Sequence, residues 1–283
     1  MLSVDQLEDK LIDLAFAEDI GDGDHTTLCC IPEDAMGKSH LLIKEDGILA
    51  GVEVAKKVFA RFDPTMKVEV LMQDGTPVKK GDIAMVVEGK IRSLLQTERL
   101  MLNIMQRMSG IATMTAKYVK RLEGTKTHVL DTRKTTPGLR MLEKQAVRIG
   151  GGMNHRIGLF DMILLKDNHI DFAGGIDNAI DRCHAYLKEK GLNLKIEIEV
   201  RSFDELDQVL KHGGVNRIML DNFSVPDTKK AVDIIASKYE TESSGGITYD
   251  TIRDYAEQGV DFISVGALTH SVKGLDMSFK ACE

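Results

Sequence analysis

The sequence predicts an α/β protein: a β-rich N-terminal region, then repeating β–α units that build a parallel sheet and suggest an α/β barrel, either closed or incomplete. Two observations carry this. After residue 125, short apolar segments recur at THVLD, DMILLK, LKIEIEV, NRIMLD and DFISVG, with a weaker one near SKYETESS. Amphipathic stretches such as SFDELDQVLKHG and TYDTIRDYAEQG lie between most of them. Second, every segment ends in polar residues: Asp131, Thr132 and Arg133; Lys166, Asp167 and Asn168; Glu197 and Glu199; Asp221 and Asn222; Ser243, Ser244 and Gly245; Gly266. In α/β barrels the C-terminal strand ends and the loops after them build the active site. Six strands delivering polar groups to one end is more than packing requires, and it marks an enzyme.

Taken in order, the chain opens on a helix from about Val4 to Ala17, with Ser3 as N-cap and Leu7, Leu11, Ile12, Leu14 and Ala15 on one face. EDIGDGDHTT follows; its Asp spacing hints at calcium, but no glutamate stands at the EF-hand position, so it reads as a polar loop. From Lys38 to Gly89 the pattern is β-like, with SHLLIKEDGILAG, MKVEVLMQDG and DIAMVVEG broken by Asp-Gly and Gly-Asp turns. A long helix spans about Ser93 to Leu122, and its Met101, Met105, Met108 and Met114 sit at core-packing spacing.

Bulk properties exclude several classes. The chain of 283 residues carries a net charge of −7, which argues against nucleic acid or an anionic membrane as partner. No apolar run approaches the roughly 20 residues of a membrane span. The acidic, helix-patterned start does not resemble a signal peptide. Cys29, Cys30, Cys183 and Cys282 form no C-x-x-C pair, so reduced thiols in a cytoplasmic protein are expected. Against this acidic background, residues 131–170 hold seven Lys or Arg and four Asp or Glu.

Three constellations carry chemistry. ETESSGGIT and ISVGALTHS place glycines after the last two strands, where barrels bind phosphate through backbone N–H groups. The same glycines also serve tight turns. DTRKTTPGLR, GGGMNHRIGLFD and ILLKDNH gather Arg133, Lys134, His155, Arg156 and Lys166. Cations converging on one face repel unless they meet a polyanion, and Arg grips planar carboxylates bidentately. Salt bridges to Asp161 or Asp167 are the structural alternative. In KIEIEV, Glu197 and Glu199 are two apart and share a strand face, and Asp221 ends the next strand. Such carboxylates bind ribose hydroxyls, hold Mg²⁺ or stabilise positive charge on a sugar; pairing with Lys166 is the structural alternative.

DTRKT-x-PG-x-R, A-V-R-x-GGG-x-NHR-x-GL-x-D, LLKDNH, EIEV, LDNF, ESSGG and S-x-GALTHS, with ER-x-x-LN-x-x-QR-x-SGIAT at Glu98–Thr113, resemble the quinolinate phosphoribosyltransferase family in order and spacing across nearly the whole chain. Leu100 and Met101 replace smaller residues, and Arg201 stands where an acid often follows. The resemblance implies an N-terminal α/β sandwich (1–110, with 271–283 packing back on it) and an open, seven-stranded α/β barrel (111–270). It implies transfer of phosphoribose from phosphoribosyl pyrophosphate to quinolinate, giving nicotinate mononucleotide, pyrophosphate and carbon dioxide, with Mg²⁺, in NAD synthesis.

The implied site is shared across a homodimer, with or without higher assembly. Arg99 of the partner subunit, Arg133, His155 and Arg156 would hold the carboxylates. Lys134 and Lys166 would face pyrophosphate and substrate charge, and Glu199 and Asp221 the ribose hydroxyls and metal. Ser244, Gly245 and Gly266, with His270 near them, would take the 5′-phosphate; Thr132, Ser243 and Ala267 complete the substrate set. A phosphoribosyltransferase for another small acid and a non-catalytic phosphosugar-binding protein are the competing readings.

Overall fold

The computed structural model describes residues 3–282. In chain order the elements are α1 (Val4–Ile20), α2 (His25–Cys30), β1 (Met36–Ile43), β2 (Gly47–Ile48), α3 (Val52–Phe62), β3 (Lys67–Val70), β4 (Pro77–Val78), β5 (Ile83–Lys90), α4 (Ile91–Arg121), β6 (His128–Leu130), α5 (Arg140–Ile149), β7 (Ile163–Leu165) and α6 (Asp167–Ala173). They continue with α7 (Ile176–Lys190), β8 (Ile196–Val200), α8 (Phe203–His212), β9 (Arg217–Asp221), α9 (Val225–Ile235), β10 (Glu240–Ser244), α10 (Ile252–Ala256), β11 (Phe262–Ser264), α11 (Ala267–His270) and β12 (Met277–Ala281). They group into two compact units. The first holds the chain up to Ala116, Thr135–Gly151 and everything from Leu268 on; the second holds Lys117–Lys134 and Gly152–Ala267.

In the first unit an antiparallel sheet runs β12-β1-β5-β3. The Ser3 hydroxyl accepts from the Gln6 N–H while the Gln6 side chain accepts from the Ser3 N–H, which fixes the start of α1. The segment read as a polar loop contains α2, capped by Asp24 accepting from the Thr27 N–H at 3.0 Å. The region read as β-like contains α3, whose Ala55, Val58, Phe59 and Phe62 recur at helical spacing between two stretches rich in turn signals. Phe59 meets Phe279 of β12, ring centroids 6.1 Å apart. Met101, Met105 and Met108 of α4 are fully buried, each contributing roughly 1.5–3 kcal/mol.

Arg107, on the same helix, explains why the first unit is discontinuous in sequence. Its guanidinium lies 2.8 Å from the buried Glu143 of α5 and also donates to the carbonyls of Thr269 and Val272. Thr135–Gly151, placed in the barrel by the sequence reading, is thereby tied to α4.

The second unit is a six-stranded sheet in the order β6-β11-β10-β9-β8-β7, parallel throughout. A single parallel bridge joins Leu130 to Met153 beyond β6, in place of a seventh full strand. The first strand thus pairs with the last, and the sheet stays open between Met153 and β7. One face packs Ile196, Ile198, Val200, Ile218 and Leu220 against Ile180, Leu206, Val209, Ala231 and Ile235 of α7, α8 and α9. The other face carries Glu197, Glu199, Met219, Glu242 and Ser244, as strand alternation requires.

Gly110 makes the first unit testable. In a free helix an alanine there would gain about 1 kcal/mol over glycine. Here a Cβ would run into the carbonyl oxygen of Lys273 and lie 3.1 Å from the Gly274 Cα, both backbone atoms. Gly110→Ala should therefore destabilise the protein by about 1–3 kcal/mol, with a lowered melting temperature on thermal unfolding. An unchanged or raised melting temperature would show that this contact yields freely.

Candidate active site

At the C-terminal strand ends of the second unit lies a cavity of about 320 Å³ lined by Thr132, Arg133, Lys134, His155, Arg156, Leu164, Lys166, Met219, Glu242, Ser244 and Ser264. Arg133 and Lys134 follow β6 directly, and Lys166 is the N-cap of α6 just after β7. His155 and Arg156 sit on the loop after Met153. The Asp161 carboxylate fixes that loop by accepting from the N–H groups of Ile157 and Gly158, both at 2.8 Å.

Beneath the cavity the strands bury an acidic set. Glu197 of β8 and Glu242 of β10 are both 0% exposed. His155 Nε2 is 2.9 Å from Glu197 Oε2 and 3.5 Å from Glu242 Oε2. Its Nδ1 accepts from the Arg156 N–H at 2.7 Å, and its own N–H donates to Asp131 Oδ1 at 2.9 Å. Below them Arg217 of β9 donates to Glu242 at 3.1 Å and to Glu240 at 3.1 and 3.2 Å, its guanidinium 4.0 Å from the Phe262 ring centroid.

Burial, then repulsion from Glu197, pushes the Glu242 carboxyl up to about 8, so it keeps its proton at neutral pH. Burial raises Glu197 as well. His155, Glu197 and Glu242 bring ligand-capable atoms within 4.8 Å of one another. Arg217 already stands on Glu242, and a dication among them would meet that guanidinium. At the cavity wall, burial and then the neighbouring Arg133 charge lower the pKa of Arg156. Two guanidiniums that disfavour each other's charge invite an anion.

On the rim, Lys166 Nζ lies 3.4 Å from Glu199 Oε2. Burial raises the Glu199 carboxyl; Lys166 opposes the shift and Asp221 adds to it, so Glu199 and Asp221 feel one another across neighbouring strands. Asp221 accepts from the Asn222 side chain at 2.7 Å. Gly245 is held at φ +94°, and a Cβ there would enter the Asn222 side chain and lie 3.0 Å from its backbone nitrogen. The fold itself therefore demands glycine at this strand end.

Of the residues read from sequence, Thr132, Arg133, Lys134, His155, Arg156, Lys166 and Ser244 line the cavity together. Glu199, Asp221, Gly245, Gly266 and Ala267 stand at or just after the ends of neighbouring strands. Ser243 does not join them: it pairs in register with Leu220, is 1% exposed and faces the helices, opposite to Ser244. Arg99 is exposed on α4 and His270 is exposed at the end of α11, both grouped with the first unit. His270 Nδ1 lies 2.7 Å from the Ser271 hydroxyl. Arg201 turns to Glu205 and Asp171, at 2.6 and 3.2 Å. The sequence reading missed Glu242 and Arg217; Glu240 and Glu242 share one strand face, as do Arg217 and Asp221, and only the strand register sets Arg217 against Glu242.

The buried Glu242 gives a pH prediction. Its carboxyl titrates near 8 when folded, against an ordinary 4.5. Stability from the extra bound proton is complete below the unfolded value and is lost as pH rises through the folded one. Between these values the unfolding free energy should fall by up to about 1.4 kcal/mol per pH unit. Glu242→Gln should flatten that decline in urea titrations. Equal slopes in both proteins would remove Glu242 as its source.

The family described as "Quinolinate phosphoribosyl transferase, C-terminal domain" matches residues 111–280, and its N-terminal counterpart matches residues 24–109. The chain is 45% identical to a quinolinate phosphoribosyltransferase [decarboxylating] of Nicotiana tabacum over 285 aligned residues, spanning 95% of this chain and 81% of that protein. It is 46% identical to the chloroplastic nicotinate-nucleotide pyrophosphorylase [carboxylating] of Arabidopsis thaliana, with the same two coverages. The crystal structure of NadC from Streptococcus pyogenes superposes with a TM-score of 0.92 at 39% identity, covering 100% of this chain and 99% of that one. With both halves matched, and relatives and folds agreeing over almost the full length, the chain belongs to the quinolinate phosphoribosyltransferase family of enzymes.

Proposed function

We propose that this protein transfers the phosphoribosyl group of phosphoribosyl pyrophosphate to quinolinate with decarboxylation, giving nicotinate mononucleotide, pyrophosphate and carbon dioxide in de novo NAD synthesis. One observation carries the reading. A cavity of about 320 Å³ is lined by four cations, Arg133, Lys134, Arg156 and Lys166. A monocarboxylate does not need so many; a pyridine dicarboxylate beside a pyrophosphate does.

Arg133 and Arg156 grip the quinolinate carboxylates and aim the ring nitrogen at the anomeric carbon. Leu164 and Met219 supply apolar wall for the ring. Lys134 and Lys166 face the leaving pyrophosphate. Ser244, Gly245, Gly266 and Ala267, at the ends of the last two strands, take the 5′-phosphate through backbone N–H groups. Glu199 and Asp221 hold the ribose hydroxyls, and their charge favours the oxocarbenium-like sugar that forms as the C–O bond to pyrophosphate breaks. These two mutually repelling carboxylates are hard oxygen donors and suit Mg²⁺. Mg²⁺, when bound, would supply neutralising charge to the leaving pyrophosphate. No side-chain nucleophile is needed; the work is positioning and charge. After transfer, carbon dioxide leaves and the electrons of the broken C–C bond stay on the ring carbon, stabilised by the adjacent cationic nitrogen, until that carbon takes a proton from water.

The direct test is carbon dioxide release from quinolinate, which should require phosphoribosyl pyrophosphate; release from neither mixture would end the proposal. Arg133→Lys and Arg156→Lys lose the bidentate fork, so quinolinate affinity should fall about 10–100-fold while that for phosphoribosyl pyrophosphate changes far less. Calorimetry showing equal weakening of both ligands would remove the carboxylate assignment.

We further propose a cytoplasmic homodimer in which Arg99 of the partner subunit completes the carboxylate grip. Arg99 is exposed on α4 within a family motif, and its helix lies outside the strand ends that form the cavity. Arg99→Ala and Lys166→Ala chains should each be nearly inactive. Mixed dimers isolated through different tags should regain activity, because one of their two sites holds both native residues. Mixed dimers as inactive as the parents would place Arg99 in its own chain or give it a structural role.

A further inference from the structure

We propose that Glu197, acting through His155, is a positioning residue that seats Arg156 at the cavity wall, so that His155 serves as a bracket and not as a ligand of the substrate carboxylate. The inference rests on the function proposed above and goes one layer beneath it.

The geometry carries it. Two hydrogen bonds hold His155, its backbone N–H to Asp131 Oδ1 at 2.9 Å and its Nδ1 from the Arg156 N–H at 2.7 Å, and its Nε2 stands 2.9 Å from Glu197 Oε2. An imidazole nitrogen that accepts from a backbone N–H carries no proton, so in the neutral ring the proton sits on Nε2, toward Glu197. Both nitrogens therefore face protein groups, and neither is left to donate to a carboxylate in the cavity. The ring instead fixes the peptide between residues 155 and 156, from which the Arg156 side chain runs to the Met162 carbonyl at 3.2 Å and to the cavity wall.

Something must hold Arg156 there. Burial and the Arg133 charge both disfavour its guanidinium, while Glu197 and Asp161 favour it. Glu197, 0% exposed on β8, is the group that faces the Nε2 of His155 from below. Glu242 stands 3.5 Å from the same Nε2 and is itself held by Arg217, so a row of Arg217, Glu242, Glu197 and His155 links the strands to the loop. Without an acceptor at 197, the imidazole loses its inner partner and the loop carrying Arg156 loses its register.

The test compares Glu197→Gln, which keeps an oxygen acceptor, with Glu197→Leu, which keeps bulk alone. Nitrogen-15 spectra of labelled histidine should show His155 as the Nε2–H tautomer in the native protein and the Gln variant, and not in the Leu variant. Calorimetry with benzene-1,2-dicarboxylate should show a loss of about tenfold or more in the Leu variant, with inorganic pyrophosphate within about twofold and the Gln variant close to native. In turnover, KM for quinolinate should rise more than kcat falls. If the Leu variant does not fold, Glu197→Asp, whose carboxylate is drawn back by one methylene, should show the same selective loss at smaller size. Native His155 protonated on Nδ1, or equal loss of both probes, overturns the proposal. Failure of carbon dioxide release from quinolinate by the native enzyme would sink the functional reading, while the tautomer and dicarboxylate measurements would still decide the role of Glu197.

Discussion

The second unit depends on how its sheet neutralises the charges it buries. Glu197 and Glu242 lie on adjacent-but-one strands with no exposed surface, where an isolated carboxylate would be prohibitively costly. The solution is layered: Arg217 below, His155 above, and a proton kept on Glu242. Had aliphatic side chains filled these positions, the interior would gain stability but lose its hold on the loop above. Replacing buried ion pairs by hydrophobic residues is often neutral or stabilising. Their presence here fits placement of cationic groups, for which a hydrocarbon floor has no directional bond to offer.

This layering also explains the polarity gradient along the strand ends. Moving up from Arg217, the layers pass through Glu242 and Glu197 to His155 and end in the wall of Arg133, Lys134, Arg156 and Lys166. Glu197 and Asp161 offset part of the burial and of the Arg133 repulsion that act on Arg156. Glu199 and Asp221, off to one side, keep a patch of negative charge at the rim. Opposite signs are thus separated across the site, matching an electron-poor sugar on one side and its anionic substituents on the other.

Much of this was legible in the sequence. All six parallel strands and the polar character of their ends followed from periodicity, because apolar strands between amphipathic helices leave a strong local signal. The basic residues that line the cavity were also visible, since arginine, lysine and histidine next to strand ends and glycines are conspicuous. What was not legible depended on tertiary partners. Glu242 and Arg217 look like ordinary strand charges until register places them side by side. Ser243 and Ser244 differ by one position, and only the pleat decides which faces the cavity. α3 was hidden by the turn-rich stretches on either side of it, and Thr135–Gly151 joins the first unit through a buried Arg107–Glu143 pair that no local pattern announces.

The antiparallel sheet of the first unit has β12 as an edge strand, paired along β1 from Ser39↔Ala281 to Ile43↔Met277. Two segments that meet residue against residue are thus separated by nearly the whole chain between them. During synthesis, β1 leaves the ribosome well before β12 and finds that partner only after every element between them has been made. Until then β1 offers an unpaired edge, with the template risk that such edges carry. The loop-closure entropy of this pairing grows only slowly with length, yet contacts of such range slow folding. The order of synthesis and the order of assembly must therefore differ: the parallel units can form as they appear, and the sheet made from the first residues is the last to be completed.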